Sequence, residues 1–292
     1  MNYLSLHINS ETAPLKSVVL GIGTDQGAPY DINPVAKMHK QQGTFPKEQD
    51  IIHEIAAAKS VLEEAGVKVF QPKNIPDQKQ IFTRDIGFVI DDFFVVANMK
   101  ESIRKAEING IEEVLKQIHP SKILELPNEA TVEGGDVLVH HEHVFVGISK
   151  RTNQAGYEAL KALFPYKKVH AMPLVVSDDP DKNILHLDCA FQPVGKDLAI
   201  FYPTGFLEPP TIIHELFAEE HLIKVTLEEK NQMFPNVFSI GPQDVLIEEN
   251  FTRLIKVLET HDIRCHKVPY RETSKLSGLL RCSTLPLERL KS

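Results

Sequence analysis

Apolar residues at Ile51, Ile52, Ile55, Ala58, Val61 and Leu62 recur at the spacing of one helix face, and Ala65-Gly66 stops that helix before an extended run over residues 67–70. Similar helical patterns return over residues 101–118, 154–164, 213–220 and 248–261, each followed by one or more short β-like runs. Ahead of them, residues 18–23 form a β-rich apolar run ending in glycine, which predicts a buried strand. Residues 88–90 with 93–97, joined by Asp91-Asp92, and residues 137–139 with 144–148, joined by residues 140–143, predict hairpins. Helices therefore begin near 51, 101, 154, 213 and 248, a spacing that predicts five related αβ units in one domain covering residues 1–292. Repetition of this kind favours a closed, propeller-like α/β arrangement over two unrelated domains. Residues 24–45 contain Gly, Pro, Asn and Asp with little periodicity and are a candidate lid or binding loop.

Composition narrows the classes of partner. The 292 residues carry 32 Lys and Arg against 40 Asp and Glu, a formal charge of −8. That balance disfavours nucleic acid and anionic membrane and suits a small cationic ligand. The three cysteines, at 189, 265 and 282, have no zinc-finger or C-x-x-C spacing, so they are expected as free thiols in a reducing, cytoplasmic setting with no metal or organic cofactor. The first residues lack a basic region followed by an apolar run, and no stretch of about 18 apolar residues suggests a membrane span.

Cys282 stands out among the thiols. It follows Arg281 in a Gly278-to-Pro286 segment with loop character, and a neighbouring cation favours the thiolate. A Cys taken alone is more often a small core residue. Alternation in Leu185-His186-Leu187-Asp188-Cys189 predicts a strand with His186 and Asp188 on one face and Cys189 on the other, while Cys265 falls in a second strand pattern. In Glu133-Gly134-Gly135-Asp136 two glycines between carboxylates allow a tight turn close to a ligand. Asp85 precedes the first hairpin. A thiol with a nearby imidazole is the combination used in covalent catalysis. The carboxylates of Asp85, Glu133 and Asp188 exceed what that chemistry needs, and their surplus suits a planar cation with several N–H donors.

The strings Phe82-Thr83-Arg84-Asp85, Glu133-Gly134-Gly135-Asp136, residues 147–153, His186-Leu187-Asp188 and Arg281-Cys282 together resemble the guanidino-group-modifying enzymes: arginine deiminases, dimethylarginine dimethylaminohydrolases and amidinotransferases. The resemblance runs from Val18 to Leu287. It implies the pentein fold, a five-bladed pseudosymmetric α/β propeller with the site on its axis. It further implies Cys282 as nucleophile, His186 as general acid and base, and Glu133 as the carboxylate that orients His186 or the guanidinium. Asp85 and Asp188 match guanidinium-binding aspartates. Arg104 and Arg151 match positions that bind a substrate α-carboxylate, with Arg281 a third such ligand and Phe82 beside them in the first string. The His-Leu-Asp string resembles deiminases and transferases, whereas Glu-Gly-Gly-Asp resembles the hydrolases, so an arginine-deiminase-type hydrolase is expected. The alternatives are a dimethylarginine hydrolase, an amidinotransferase, or a non-catalytic binding protein of the same fold, such as a ribosome anti-association factor. A small guanidino compound is the expected partner, and a homo-oligomer is compatible with the sequence.

Overall fold

The computed structural model describes residues 3–28 and 32–291. Its strands form five three-stranded sheets of one design, an antiparallel pair followed by a parallel third strand. In chain order the second to fifth sheets are Gly87–Ile90, Phe93–Val96 and Ile123–Leu124; Val137–His140, His143–Ile148 and Lys168–Pro173; Phe191–Val194, Leu198–Phe201 and Leu222–Lys224; and Phe238–Gly241, Asp244–Glu248 and Arg264–Val268. The first sheet has the same design with its members drawn from both ends of the chain. Leu15–Leu20 pairs antiparallel with Thr284–Arg289 and parallel with Lys68–Phe70. This is a mixed α/β fold whose sheets fit five-fold pseudosymmetry.

The predicted hairpins form, pairing Phe88 with Val95 and Leu138 with Phe145, with Asp91 in a left-handed conformation at the first turn. Each parallel third strand follows a crossover. The clearest is the helix Glu48–Glu64, whose Ile51, Ile55, Ala58 and Leu62 enter a core with Val18, Leu20, Leu254 and Leu258. Removing these side chains from water is the main stabilising term. The expected helix over 101–118 is instead broken into turns, Ser102–Arg104 and Glu107–Ile111, and a single helical turn, Glu112–Leu115. The break has a visible cause, because the Arg104 guanidinium is drawn inward to Asp85 and Glu107.

The 24–45 segment is not structureless. It contains helix α1 (Pro34–Gln41), started by Pro34 and by the Asn33 side chain, which accepts the Ala36 N–H at 2.8 Å. Residues 29–31 lie outside the described residues. Helix α2 (Glu48–Glu64) follows, and its Glu54 carboxylate accepts the backbone N–H groups of Glu272 and Thr273, holding the turn that leads into the Cys282 loop. Among the described residues, no helix is long and apolar enough to cross a membrane.

Candidate active site

Each sheet's first strand is entered through a short turn or loop, and the side chains of interest sit there. Asp85 lies two residues before Gly87–Ile90, and Glu133 opens the turn Gly134–Asp136 before the next sheet. His186 opens the turn Leu187–Cys189 before Phe191–Val194. Asn236 and Cys282 each lie two residues before their strands, Phe238–Gly241 and Thr284–Arg289. The expected strand over 185–189 is absent. The turn there lets His186 and Asp188 reach different partners instead of sharing a face.

These side chains converge. His186 Nε2 lies 2.9 Å from Glu133 Oε2, and His186 Nδ1 lies 3.7 Å from Asp85 Oδ1. Cys282 Sγ is 3.6 Å from Asp188 Oδ2 and accepts a hydrogen bond from Asn236 Nδ2 at 3.2 Å. Cys282 and Asp85 line one cavity of about 40 Å³, with Phe82, Arg104 and Arg151 among its walls. Two local features make this possible. A Cβ on Gly135 would stand 2.7 Å from His186 Nδ1 and 2.9 Å from Asp85 Oδ1, so only glycine leaves room for that pair. Asp136 Oδ1 accepts the Leu187 N–H at 2.9 Å, which ties the His186 turn to the Glu133 turn. The Phe82-to-Asp85 string is tied in turn to the Cys282 loop, for Thr83 Oγ1 donates to the Ser283 carbonyl and the Arg84 N–H to the Cys282 carbonyl.

Electrostatics set the resting protonation. Burial by itself disfavours charge on His186, but the carboxylates of Asp85, Asp136 and Glu133 override it and push the imidazole up to about 9. Burial likewise raises Glu133, and His186, Arg151 and Arg104 outweigh it to hold that carboxyl down at about 2. The pair is therefore imidazolium and carboxylate at neutral pH. Cys282 is driven the other way: burial first, then the charges of Asp188 and Asp85, push its thiol well above the usual range. Arg281 does not offset this as the sequence suggested. Its guanidinium binds Asp188 Oδ2 at 2.9 Å, Glu11 Oε1 at 3.1 Å and the Val137 carbonyl at 2.9 Å.

That geometry also corrects the expectation that Arg281 binds a substrate carboxylate, because the side chain is fully buried in its ion pairs and is not among the cavity's lining residues. Arg104 and Arg151 do line the cavity, yet both are engaged. Arg104 donates to both Glu107 oxygens at 2.9 Å and to Asp85 Oδ2 at 2.8 Å. Arg151 contacts Glu133 at 3.3 Å and donates to the Ile32 carbonyl at 2.9 Å, which fastens the segment leading into α1 over the cavity. Phe82 forms a wall and fills the space where a Gly278 side chain would stand. Asp85 Oδ1 is buried without a hydrogen-bond partner, an acceptor facing the centre of the group. Ligand atoms of Asp85, Glu133 and His186 lie within 4.8 Å of one another, a spacing a metal could use, although Arg104 and Arg151 already compensate these carboxylates.

Asn236 is the residue that sequence reasoning missed. Its Oδ1 accepts the backbone N–H groups of Leu279 and Cys282, each at 3.1 Å. Those two bonds fix the amide's orientation and leave Nδ2 directed at the sulfur. A lone Asn after Phe234-Pro235 has the look of an ordinary turn. Its position two residues before a sheet's first strand, shared with Asp85 and Cys282, is the signal that could have found it.

Residues 29–289 match the family model for N,N-dimethylarginine dimethylhydrolase of the eukaryotic type. The chain belongs to that family. An uncharacterized Bacillus subtilis protein, YkgA, is 30% identical over 214 residues, covering 72% of this chain and 70% of its own. An arginine deiminase of Listeria monocytogenes is 25% identical over 248 residues, covering 71% of this chain, and the match spans 60% of the deiminase. Among solved structures, the amidinotransferase SxtG of Microseira wollei superposes with a TM-score of 0.81 at 17% identity, covering 98% of each chain. The wider group is that of the guanidino-group-modifying enzymes, and the pentein fold expected from the sequence agrees with this structural neighbour.

Proposed function

We propose that the chain hydrolyses the guanidinium group of arginine or a close derivative through a covalent adduct on Cys282. The observation that carries this reading is that Cys282 and Asp85 line one small cavity, with the His186 imidazole 3.7 Å from Asp85 and the Asp188 carboxylate 3.6 Å from the sulfur. Without a cationic ligand, burial and then the charges of Asp188 and Asp85 keep the sulfur protonated. A guanidinium entering beside Asp85 Oδ1 and Asp188 supplies positive charge next to Sγ and favours loss of the thiol proton to solvent.

The thiolate then attacks the guanidinium carbon. Asn236 Nδ2 donates to the sulfur and holds its direction. His186, charged at neutral pH, gives its proton to the departing amine, leaving a thiouronium on Cys282 and a neutral imidazole. That imidazole next takes a proton from water, the hydroxide adds to the thiouronium carbon, and the adduct collapses with its hydroxyl proton passing to the departing sulfur, which releases a ureido product and restores the thiol. Glu133 holds His186 through the 2.9 Å contact in both steps.

Unsubstituted guanidinium is the preferred substrate, since Asp188 is a carboxylate suited to an N–H donor and a dimethylated nitrogen has none. The family match supports a second reading, hydrolysis of a dimethylated arginine. One assay separates them: incubation with arginine and with asymmetric dimethylarginine, scored for ammonia and dimethylamine, with glycine present to reveal amidino transfer. Ammonia and citrulline from arginine support the first reading. Dimethylamine alone supports the second, and no product from either sinks both. Mass spectrometry of acid-quenched protein should show the adduct on Cys282 and none in Cys282→Ser.

A further inference from the structure

Residues 8–11 cross the far ends of two hairpins. Ile8 and Asp91 exchange backbone hydrogen bonds, the His141 N–H donates to the Asn9 carbonyl, and the Glu11 N–H donates to the Val139 carbonyl. One strand separates each of those hairpin ends from the turn that holds Asp85 or Glu133, so Glu11 approaches the site from behind. Its side chain is only 4% exposed and is not among the residues lining the Cys282 cavity.

What Glu11 holds is Arg281. Arg281 Nε donates to Glu11 Oε2 at 3.4 Å and Nη2 to Glu11 Oε1 at 3.1 Å, a two-point grip, whereas Asp188 Oδ2 receives a single bond from Nη1 at 2.9 Å. Burial opposes the charge on Arg281, and of the two acids that restore it Glu11 is the stronger and Asp188 the weaker. Arg84 faces the same two carboxylates, while Arg289 and His140 face Glu11. Burial also works against charge on Glu11, but Arg281, Arg84 and Arg289 outweigh it and hold the carboxyl at about 2, so Glu11 is anionic at neutral pH. Were it uncharged, Arg281 and Arg84 would both turn on Asp188. They would then compete for that carboxylate with any guanidinium arriving beside the Cys282 sulfur, 3.6 Å away.

We propose that Glu11 is a positioning residue for guanidinium binding: by gripping Arg281 from behind it keeps that cation from neutralising Asp188, which stays available to a guanidinium beside Cys282. Glu11 touches no part of the substrate and acts through Arg281. This deepens the guanidinium reading of the cavity and rests on it. It also gives the segment before the first strand a part in recognition, although that segment lies outside the cavity.

Calorimetric titration of Cys282→Ala protein with arginine and with citrulline, its uncharged ureido counterpart, reads how strongly the cavity selects positive charge. Adding Glu11→Gln should reduce that selectivity about tenfold. With Cys282 intact, Glu11→Gln should lower the pH midpoint of iodoacetamide alkylation, followed at Cys282 by mass spectrometry, by about half a pH unit, because the field of Asp188 at the sulfur is then more fully compensated. Glu11→Asp, still charged but a methylene shorter, should move both readouts the same way by a smaller step, about threefold in selectivity, and keeps the comparison readable should Glu11→Gln fail to fold. A folded Glu11→Gln in which either readout keeps its wild-type value would reduce Glu11 to a fastener of the N-terminal segment and overturn the inference. If Glu11→Gln does not fold, wild-type values in Glu11→Asp would overturn it equally. Equal binding of arginine and citrulline by Cys282→Ala protein with Glu11 in place would remove the guanidinium reading itself, a failure distinct from one that appears only in the Glu11 variants.

Discussion

Asp188 Oδ2 is shared: it accepts from Arg281 Nη1 at 2.9 Å and lies 3.6 Å from Cys282 Sγ. The carboxylate beside the Cys282 thiol is thus held by the residue next to that cysteine in sequence. Its charge is one of the reasons the thiol is held high. Asp188→Asn should therefore have opposite effects on thiol reactivity and on catalysis. The pH midpoint of iodoacetamide alkylation at Cys282 should move down by about one pH unit or more, while kcat/KM for arginine falls. A midpoint that stays put or rises would contradict the assigned electrostatics.

Arg281 compensates both Asp188 and Glu11 inside the protein. Arg281→Met should leave two buried carboxylates without their partner and cost on the order of 3 kcal/mol or more. Urea unfolding will measure it. A loss below about 1 kcal/mol would show that these carboxylates do not depend on Arg281 as their geometry implies.

Asn236→Ala removes the donor to sulfur and both acceptor bonds to the Cys282 loop. By comparison with loss of other preorganised donors, kcat should fall about a hundredfold, and the alkylation midpoint of Cys282 should rise. Asn236→Asp keeps an acceptor for the two backbone N–H groups but adds negative charge, so it should raise the midpoint further. An effect on stability with no change in midpoint would reduce Asn236 to a loop fastener.

Gly135→Ala places a methyl within 2.9 Å of both His186 and Asp85. The side chains must part to admit it. Turnover should drop by about tenfold to a hundredfold for so small a displacement, with little change in the KM of a good substrate. The KM-against-kcat split of the purified variant checks this.

His186 and Glu133 make stability depend on pH in defined directions. The imidazole sits at about 9 against an ordinary 6.5, so its contribution is complete below pH 6.5 and is lost as pH rises through 9. Glu133 sits at about 2 against 4.5, so its contribution is complete above pH 4.5 and is lost as pH falls through 2. The pair supports the fold most between pH 4.5 and 6.5. In His186→Gln the alkaline decline of the melting temperature should flatten, and a decline unchanged from wild type would place its origin elsewhere.

Much of the fold and of the site is legible along the chain, because several of the determinants are local strings. Helix spacing and hairpin turns announce five αβ units, and Glu133-Gly134-Gly135-Asp136 carries both its carboxylates and the glycine that admits His186. Where the sequence misleads, a side chain's partner lies far away in the chain. The 185–189 alternation has the pattern of a strand, but Asp136 and Arg281 draw Leu187 N–H and the Asp188 carboxylate into a turn. Residues 101–118 have the pattern of one helix, but Asp85 pulls Arg104 out of it.

By itself the sequence determined the repeat, the residue types near the site and their order, since periodicity and short motifs depend only on neighbours along the chain. Tertiary structure decided which charge meets which. Glu11 reaches Arg281 across 270 positions, and Asn236 reaches Cys282 across 46. Such pairings depend on distance through space and on exclusion of water, and neither is encoded in the spacing of residues along a chain.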